Sequence, residues 1–202
     1  MNRAYKQSNG AKKGFTLIEL LVVVAIMGIL AGMSFAGFQG AVRNNRVKDA
    51  ALNLTAFLER VAAKASSMSE PLCIKAVDTK TIKVYSGCTV QEGEEVDGSK
   101  QPDQLVTNED NLVDSFALES TMNLVTTTCA GLCSSSDNTC GNWLSVGKGV
   151  FVPKLGLSAA PASGYVCASY GSTNSYAAAF KPKEKNIVEP LINIEGSGWD
   201  NE

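Results

Sequence analysis

The 202-residue chain contains no histidine. That absence removes the Ser-His and Cys-His pairs behind most nucleophilic hydrolysis, along with the commonest metal ligand. No glycine-rich phosphate cradle or nucleophile elbow is present, and no spacing singles out a working pair of carboxylates. Nothing in the sequence points to an enzyme. Proline is missing from the first 70 residues, the earliest being Pro71, so a helix over that stretch meets no residue that would break it. Arginine is missing from residue 70 onward, where nine lysines stand against 17 acids and leave a balance of −8. Phosphate attraction wants the opposite sign, so no nucleic-acid partner is expected, a small patch at Lys181, Lys183 and Lys185 notwithstanding. Acids are missing from the first 14 residues, which carry Arg3, Lys6, Lys12 and Lys13.

An apolar run succeeds that basic leader. From Phe15 to Phe38 the only polar side chains are Thr16, Glu19 and Ser34. As a helix the run spans about 36 Å against a hydrocarbon thickness of about 30 Å, enough to cross a bilayer once. The positive leader holds its own end in the cytoplasm, giving a single membrane pass with the N-terminus in and the C-terminus out. Glu19 is the anomaly, because a carboxylate within an apolar span is costly unless it finds a partner. A secretory signal peptide cut after Ser34-Phe35-Ala36, or a plain signal-anchor helix, fits the charge pattern but leaves Glu19 unexplained.

Residues 14–19, Gly-Phe-Thr-Leu-Ile-Glu, between a basic leader and an apolar run, resemble the N-terminal signature of type IV pilins and pseudopilins. The resemblance implies cleavage between Gly14 and Phe15 by a prepilin peptidase, N-methylation of Phe15, and an assembly role for Glu19. In that family the matching glutamate meets the terminal amine of a neighbouring subunit, and methylation leaves the amine its positive charge. The implied partners are other pilin or pseudopilin subunits, the peptidase, the inner membrane and an assembly platform. A Glu19 that merely snorkels to the headgroups is the competing reading, and glutamine would then serve equally well.

Beyond the apolar run, Val47, Ala50, Ala51, Leu54, Leu58, Val61, Ala65 and Met68 recur at spacings of three and four, opposite Arg43, Arg46, Lys48, Asp49, Glu59, Arg60 and Lys64. The pattern predicts one helix from Phe15 to about Met68, roughly 80 Å long. From residue 70 the period changes to short β-rich stretches: Leu72 to Val77 and Thr81 to Ser86 as a hairpin about Asp78-Thr79-Lys80, then 112–118, 122–128, 149–153, 164–170 and 175–180, with 91–111 as a polar loop. The expected fold class is α+β and pilin-like, a long N-terminal helix, transmembrane then amphipathic, packed on a mostly antiparallel β head. Its parts are a leader (1–14), a membrane and assembly helix (15–38), an amphipathic continuation (39–69) and a disulfide-bonded head (70–202). The order of long helix, hairpin and further strands resembles the H-type minor pseudopilins of type II secretion and related minor pilins. The helix departs from many fibre-forming pilins in having Phe35-Ala36-Gly37 where they carry a proline, although Gly28, Gly32 and Gly37 permit local unwinding.

Cys73, Cys88, Cys129, Cys133, Cys140 and Cys167 all fall on the side that the topology places outside the cytoplasm, where disulfides form. Cys73 and Cys88 flank the first hairpin; Cys167 is an anchor for one of the three in the serine-rich loop. An all-cysteine zinc site would need unusual spacing. No cofactor is expected, calcium at Glu92, Glu94, Glu95 and Asp97 being the one candidate, without the Asp-x-Asp-x-Asp-Gly pattern. The leading functional expectation is a minor pseudopilin or minor pilin acting in filament assembly and protein secretion. A major pilin of a surface fibre for adhesion or motility, with Tyr165, Tyr170 and Tyr176 exposed on its surface, is the alternative, although aromatic residues favour core or half-buried strand positions. A membrane-anchored binding protein that never polymerises is the second.

Overall fold

Helix α1 (Leu17–Met68) starts where Thr16 caps it: the Thr16 carbonyl accepts the N–H groups of Glu19 at 3.1 Å and Leu20 at 3.3 Å, and its hydroxyl also accepts from Glu19. With no proline in the way it runs for 52 residues. It stops because Ser69 turns into the left-handed region at φ 54°, so that the Ser69 N–H reaches the Ser66 carbonyl and the Glu70 N–H reaches the Ala65 carbonyl. This is a Schellman closure with serine in the usual glycine position, and Pro71 prevents resumption. The computed structural model describes residues 14–91, 95–96, 99–100, 104–129, 131–133, 140–145, 149–152, 158–160 and 163–201. The chain divides into two units between Val42 and Arg43.

In the second unit α1 is followed by β1 (Leu72–Ala76), β2 (Thr81–Ser86), β3 (Thr89–Gln91), β4 (Glu95–Val96), β5 (Ser99–Lys100), β6 (Gln104–Val106), β7 (Leu112–Ala117) and β8 (Met122–Val125). Then come β9 (Cys140–Asn142), β10 (Val150–Val152), β11 (Ser158–Ala160), β12 (Ser163–Tyr170), β13 (Tyr176–Lys181), β14 (Glu189–Asn193) and β15 (Asp200–Asn201). One sheet has the order β11-β10-β1-β2-β7 and is antiparallel throughout. The second runs β15-β14-β13-β12-β8, with β9 joining β12 as the parallel strand. The α+β, pilin-like class read from the sequence is the architecture found.

Both sheets share a core with the helix stripe. Val47, Ala50, Ala51, Leu54, Leu58, Val61 and Ala65 are buried as the period of three and four requires, and Phe57 and Ala62 widen the face. Ile74, Ile82 and Val84 meet them from the first sheet, and Val166, Ala168, Ala177 and Ala179 from the second. Phe57 stacks on Phe116 with ring centroids 4.8 Å apart. Trp143, fully buried, stands edge-on to Phe151 at 5.3 Å.

The first hairpin turns where Asp78 Oδ1 accepts the N–H of Lys80 at 2.6 Å and of Thr81 at 2.7 Å, bonds that hold its carboxyl below the usual carboxylate range.

Several expectations are corrected. Met68 is 43% exposed, because the chain leaves the helix there and the stripe ends at Ala65. The stretch 91–111 is not a plain loop: β3 pairs with β6, β4 with β5, and a 3₁₀ turn at Glu109–Asn111 is capped by Asn108. Ribbons of two or three residues per strand are too short to show a period. Strands β9, β11, β14 and β15 were absent from the sequence pattern. The strand read over 122–128 ends at Val125, where the chain departs toward Cys129.

Candidate functional site

The first unit presents its apolar surface without cover. Phe15 is 82% exposed and Leu17 84%, and Ile18, Leu21, Ile26, Ile29 and Met33 are likewise exposed. α1 is long and apolar enough to cross a membrane over an 18-residue window of which none is buried. Among such residues a single carboxylate stands out. Glu19 lies in the first turn of α1, where the helix dipole favours a negative charge, and the sequence Thr16-Leu17-Ile18-Glu19 is a capping box in composition. The Thr16 hydroxyl supplies one half of that box by accepting the Glu19 N–H at 3.3 Å. Sequence reasoning assigned no part to Thr16, although a Thr three residues ahead of a Glu at the head of an apolar run is a readable helix-start signal.

Gly14 precedes the helix in irregular backbone, so the Gly14–Phe15 bond is outside any helical hydrogen bonding. Gly14 and Phe15 are both exposed. The other leader residues, 1–13, lie outside the described residues.

The six cysteines form three disulfides: Cys73–Cys88, Cys129–Cys167 and Cys133–Cys140. The first ties β1 to Cys88, two residues past β2, the second ties the loop after β8 to β12, and the third links that loop to the start of β9 across a separation of seven residues. Zinc thus has no free thiolate to bind, since none of the cysteines is unpaired. Among the described residues no cluster of three carboxylate or thiol ligands could hold a metal ion. Glu92, Glu94 and Asp97 lie outside those residues.

Of the lysines read as a basic patch, Lys181 is buried at 3% exposure and its ammonium is pushed down in pKa by that burial. Lys185 pairs with Glu189. The three therefore do not build one basic face. Tyr165 is buried and Tyr170 and Tyr176 are half-buried on strands β12 and β13.

A capped, uncovered apolar helix leading into a helix-backed, disulfide-braced β head defines a pilin-like structural subunit. Residues 9–35 match the family model described as the prokaryotic N-terminal methylation motif. A fimbrial protein of Pseudomonas aeruginosa is 33% identical over 108 residues, 53% of this chain and 68% of that protein. A type IV major alpha-pilin of Moraxella bovis is 32% identical over 82 residues, covering 41% of this chain and 50% of its own length. A type IV major pilin protein of Neisseria gonorrhoeae is 46% identical over 44 residues, 22% of this chain and 26% of that protein. No solved structure matches. The chain belongs to the type IV pilin family.

Proposed function

We propose that this chain is a precursor cut between Gly14 and Phe15, N-methylated on Phe15, and built into a type IV pilus-like filament through the helix from Phe15 to about Phe38. The observation that carries the proposal is the conjunction of an exposed apolar helix with one carboxylate, Glu19, in its first turn. Neighbouring copies of the same helix would bury that surface, and the terminal amine of a neighbour would neutralise Glu19 in the resulting bundle. Glu19 would thereby set the register between subunits. Peptidase, assembly platform and inner-membrane insertion with the head outward are parts of the same reading.

The relatives are named fimbrial proteins and major pilins, which favours a bulk fibre subunit. A minor subunit, of a pilus or of a type II secretion apparatus, is favoured by a different observation: an uninterrupted α1 without helix proline that passes directly into the β1–β2 hairpin.

Intact and N-terminal peptide mass spectrometry on sheared surface filaments and on membranes tests both. A chain starting at methylated Phe15 supports the processing pathway, with filament enrichment marking a bulk subunit and traces a minor one. A chain retaining Met1, or starting after Ala36, overturns it.

A further inference from the structure

Neighbouring rows on the outer face of the second sheet differ in what they need from a cover. Val125, Cys167, Ala178 and Leu191 stand opposite one another across β8, β12, β13 and β14 and form an apolar row, whereas the adjacent Asn123, Ser169, Tyr176 and Asn193 row is mostly polar. The apolar row is covered from two directions. Cys129 and Leu132 come over it from the loop after β8, and Trp199 from the segment after β14, all in one cluster. Cys129, at 3% exposure, and Cys167, at none, lie within that cluster, so their disulfide sits under the cover.

The segment that carries Trp199 is hinged. Glu195, Gly196 and Gly198 stand in the left-handed region at φ 55°, 80° and 108°, and a Cβ at either glycine would meet nothing within 4 Å. Both glycines thus face open space. Near them the Ser197 N–H donates to the Ile194 carbonyl at 3.1 Å, and beyond them β15 pairs with β14 through Leu191 with Asn201 and Ile192 with Asp200.

Between these short anchors the indole supplies the apolar contact. Trp199 is half-buried, tilted 44° to the Tyr176 ring with centroids 6.4 Å apart, and set against Gly131, where a Cβ would come to 3.4 Å from Nε1. Gly131 lies between Cys129 and Cys133, so the indole rests on the loop that two disulfides tie down. A two-pair strand and one indole open more readily than the eight-residue β12 beneath them, since a local opening costs the contacts it breaks.

We propose that residues 196–201 form a strap that controls thiol access to the Cys129–Cys167 disulfide. In exchange, a thiolate attacks one cysteine sulfur, the S–S bond breaks, and the other cysteine leaves as thiolate. The second thiol of a dithiol then displaces the bound cysteine, so the protein gains two thiols as the dithiol becomes a disulfide. With Trp199 seated the attacking sulfur has no approach, and with the strap swung out on its glycines it has one. The other two bonds have no such cover, because Cys88, Cys133 and Cys140 are each half-buried.

The test uses the full-length protein in detergent, so that filament assembly does not enter. Samples treated with dithiothreitol are quenched at intervals with N-ethylmaleimide and mapped by peptide mass spectrometry, which gives an initial reduction rate for each disulfide. Cys129–Cys167 is expected to be reduced last in the parent. Trp199→Ala should speed its reduction at least about tenfold and change Cys73–Cys88 less than about twofold, whereas Trp199→Phe, which keeps a ring over the row, should stay within about threefold of the parent. An unchanged rate at Cys129–Cys167, or equal acceleration of both bonds, overturns the proposal. Should Trp199→Ala fail to fold, the parent decides alone: in low urea its Cys129–Cys167 bond should be reduced faster than the head unfolds, with a weak urea dependence, because a strap exposes little surface. Reduction only at the rate of global unfolding, with its steep urea dependence, overturns it.

Discussion

Thr16 and Glu19 are joined at the start of α1 by a hydrogen bond from the Glu19 main-chain N–H to the Thr16 hydroxyl. The pair gives Glu19 a structural position before any neighbour arrives, because its backbone is held by the cap while its carboxylate stays available. Role and placement can therefore be separated by mutation. Glu19→Ala is expected to leave cleavage after Gly14 intact and to lower recovery in sheared filaments at least about tenfold, the scale of breaking a buried ion pair. Glu19→Gln should fall with it, and full incorporation of the glutamine form would show that no ion pair is made.

Thr16→Ala should act differently. Loss of an N-cap costs about 1 kcal/mol of local helix stability, so fraying at Leu17 to Glu19 should rise in hydrogen exchange of detergent-solubilised protein. Incorporation should decline less than in Glu19→Ala, and an equal decline would assign the whole effect to the cap.

The disulfides should rank by the chain they enclose. With separations of 38, 15 and seven residues, removal of Cys129–Cys167, Cys73–Cys88 and Cys133–Cys140 is expected to cost about 4, 3 and 2 kcal/mol in the chain-entropy model. Denaturant unfolding of the three paired Cys→Ser variants checks the order. A smallest loss at Cys129–Cys167 would contradict it.

Gly164 admits no side chain. A Cβ there would stand 2.7 Å from the Gly141 carbonyl oxygen and would also collide with the Trp143 indole nitrogen, in the fully buried centre of the head. Gly164→Ala is expected to destabilise by about 1–3 kcal/mol, the usual range for overpacking, while alanine at the open Gly28 should pack without collision. Thermal melts of the two variants make the comparison.

Glu109 gives the head an acid limb. Lys83 Nζ donates to one of its oxygens at 2.9 Å and the Tyr85 hydroxyl to the other at 2.8 Å. The Lys83 bond first, and Tyr85 second, hold the Glu109 carboxyl below its ordinary pKa. A lowered folded-state pKa contributes stability above the unfolded value and loses it as pH falls through the folded one. Glu109→Gln should therefore flatten the decline in melting temperature below about pH 4.5 relative to the parent. An unchanged acid limb would remove Glu109 from the account.

The legibility of each element in the sequence depends on where its signal lies. The helix stripe from Val47 to Ala65 was readable because side chains on one face repeat at three and four residues, and the first hairpin because Asp78-Thr79-Lys80 separates two alternating runs. Met68 was misplaced because periodicity carries no mark for a left-handed Ser69. Strand β14 escaped notice because it contains Pro190 and buries none of its residues fully. The apolar N-terminal run with its lone carboxylate was legible because its pattern is local in sequence. The row of Asn123, Ser169, Tyr176 and Asn193 was not legible, because only strand register brings these residues side by side.

The strand order β11-β10-β1-β2-β7 also imposes a schedule on biogenesis. One edge of β1 is occupied at once by β2, but its other neighbour begins at Val150, 74 residues after Ala76. At synthesis rates of about 5–20 residues per second, that edge waits roughly 4–15 s with its main-chain groups unpaired. An open edge is a template for wrong pairing. A truncated product ending before Val150 would leave that edge of β1 without its β10 partner.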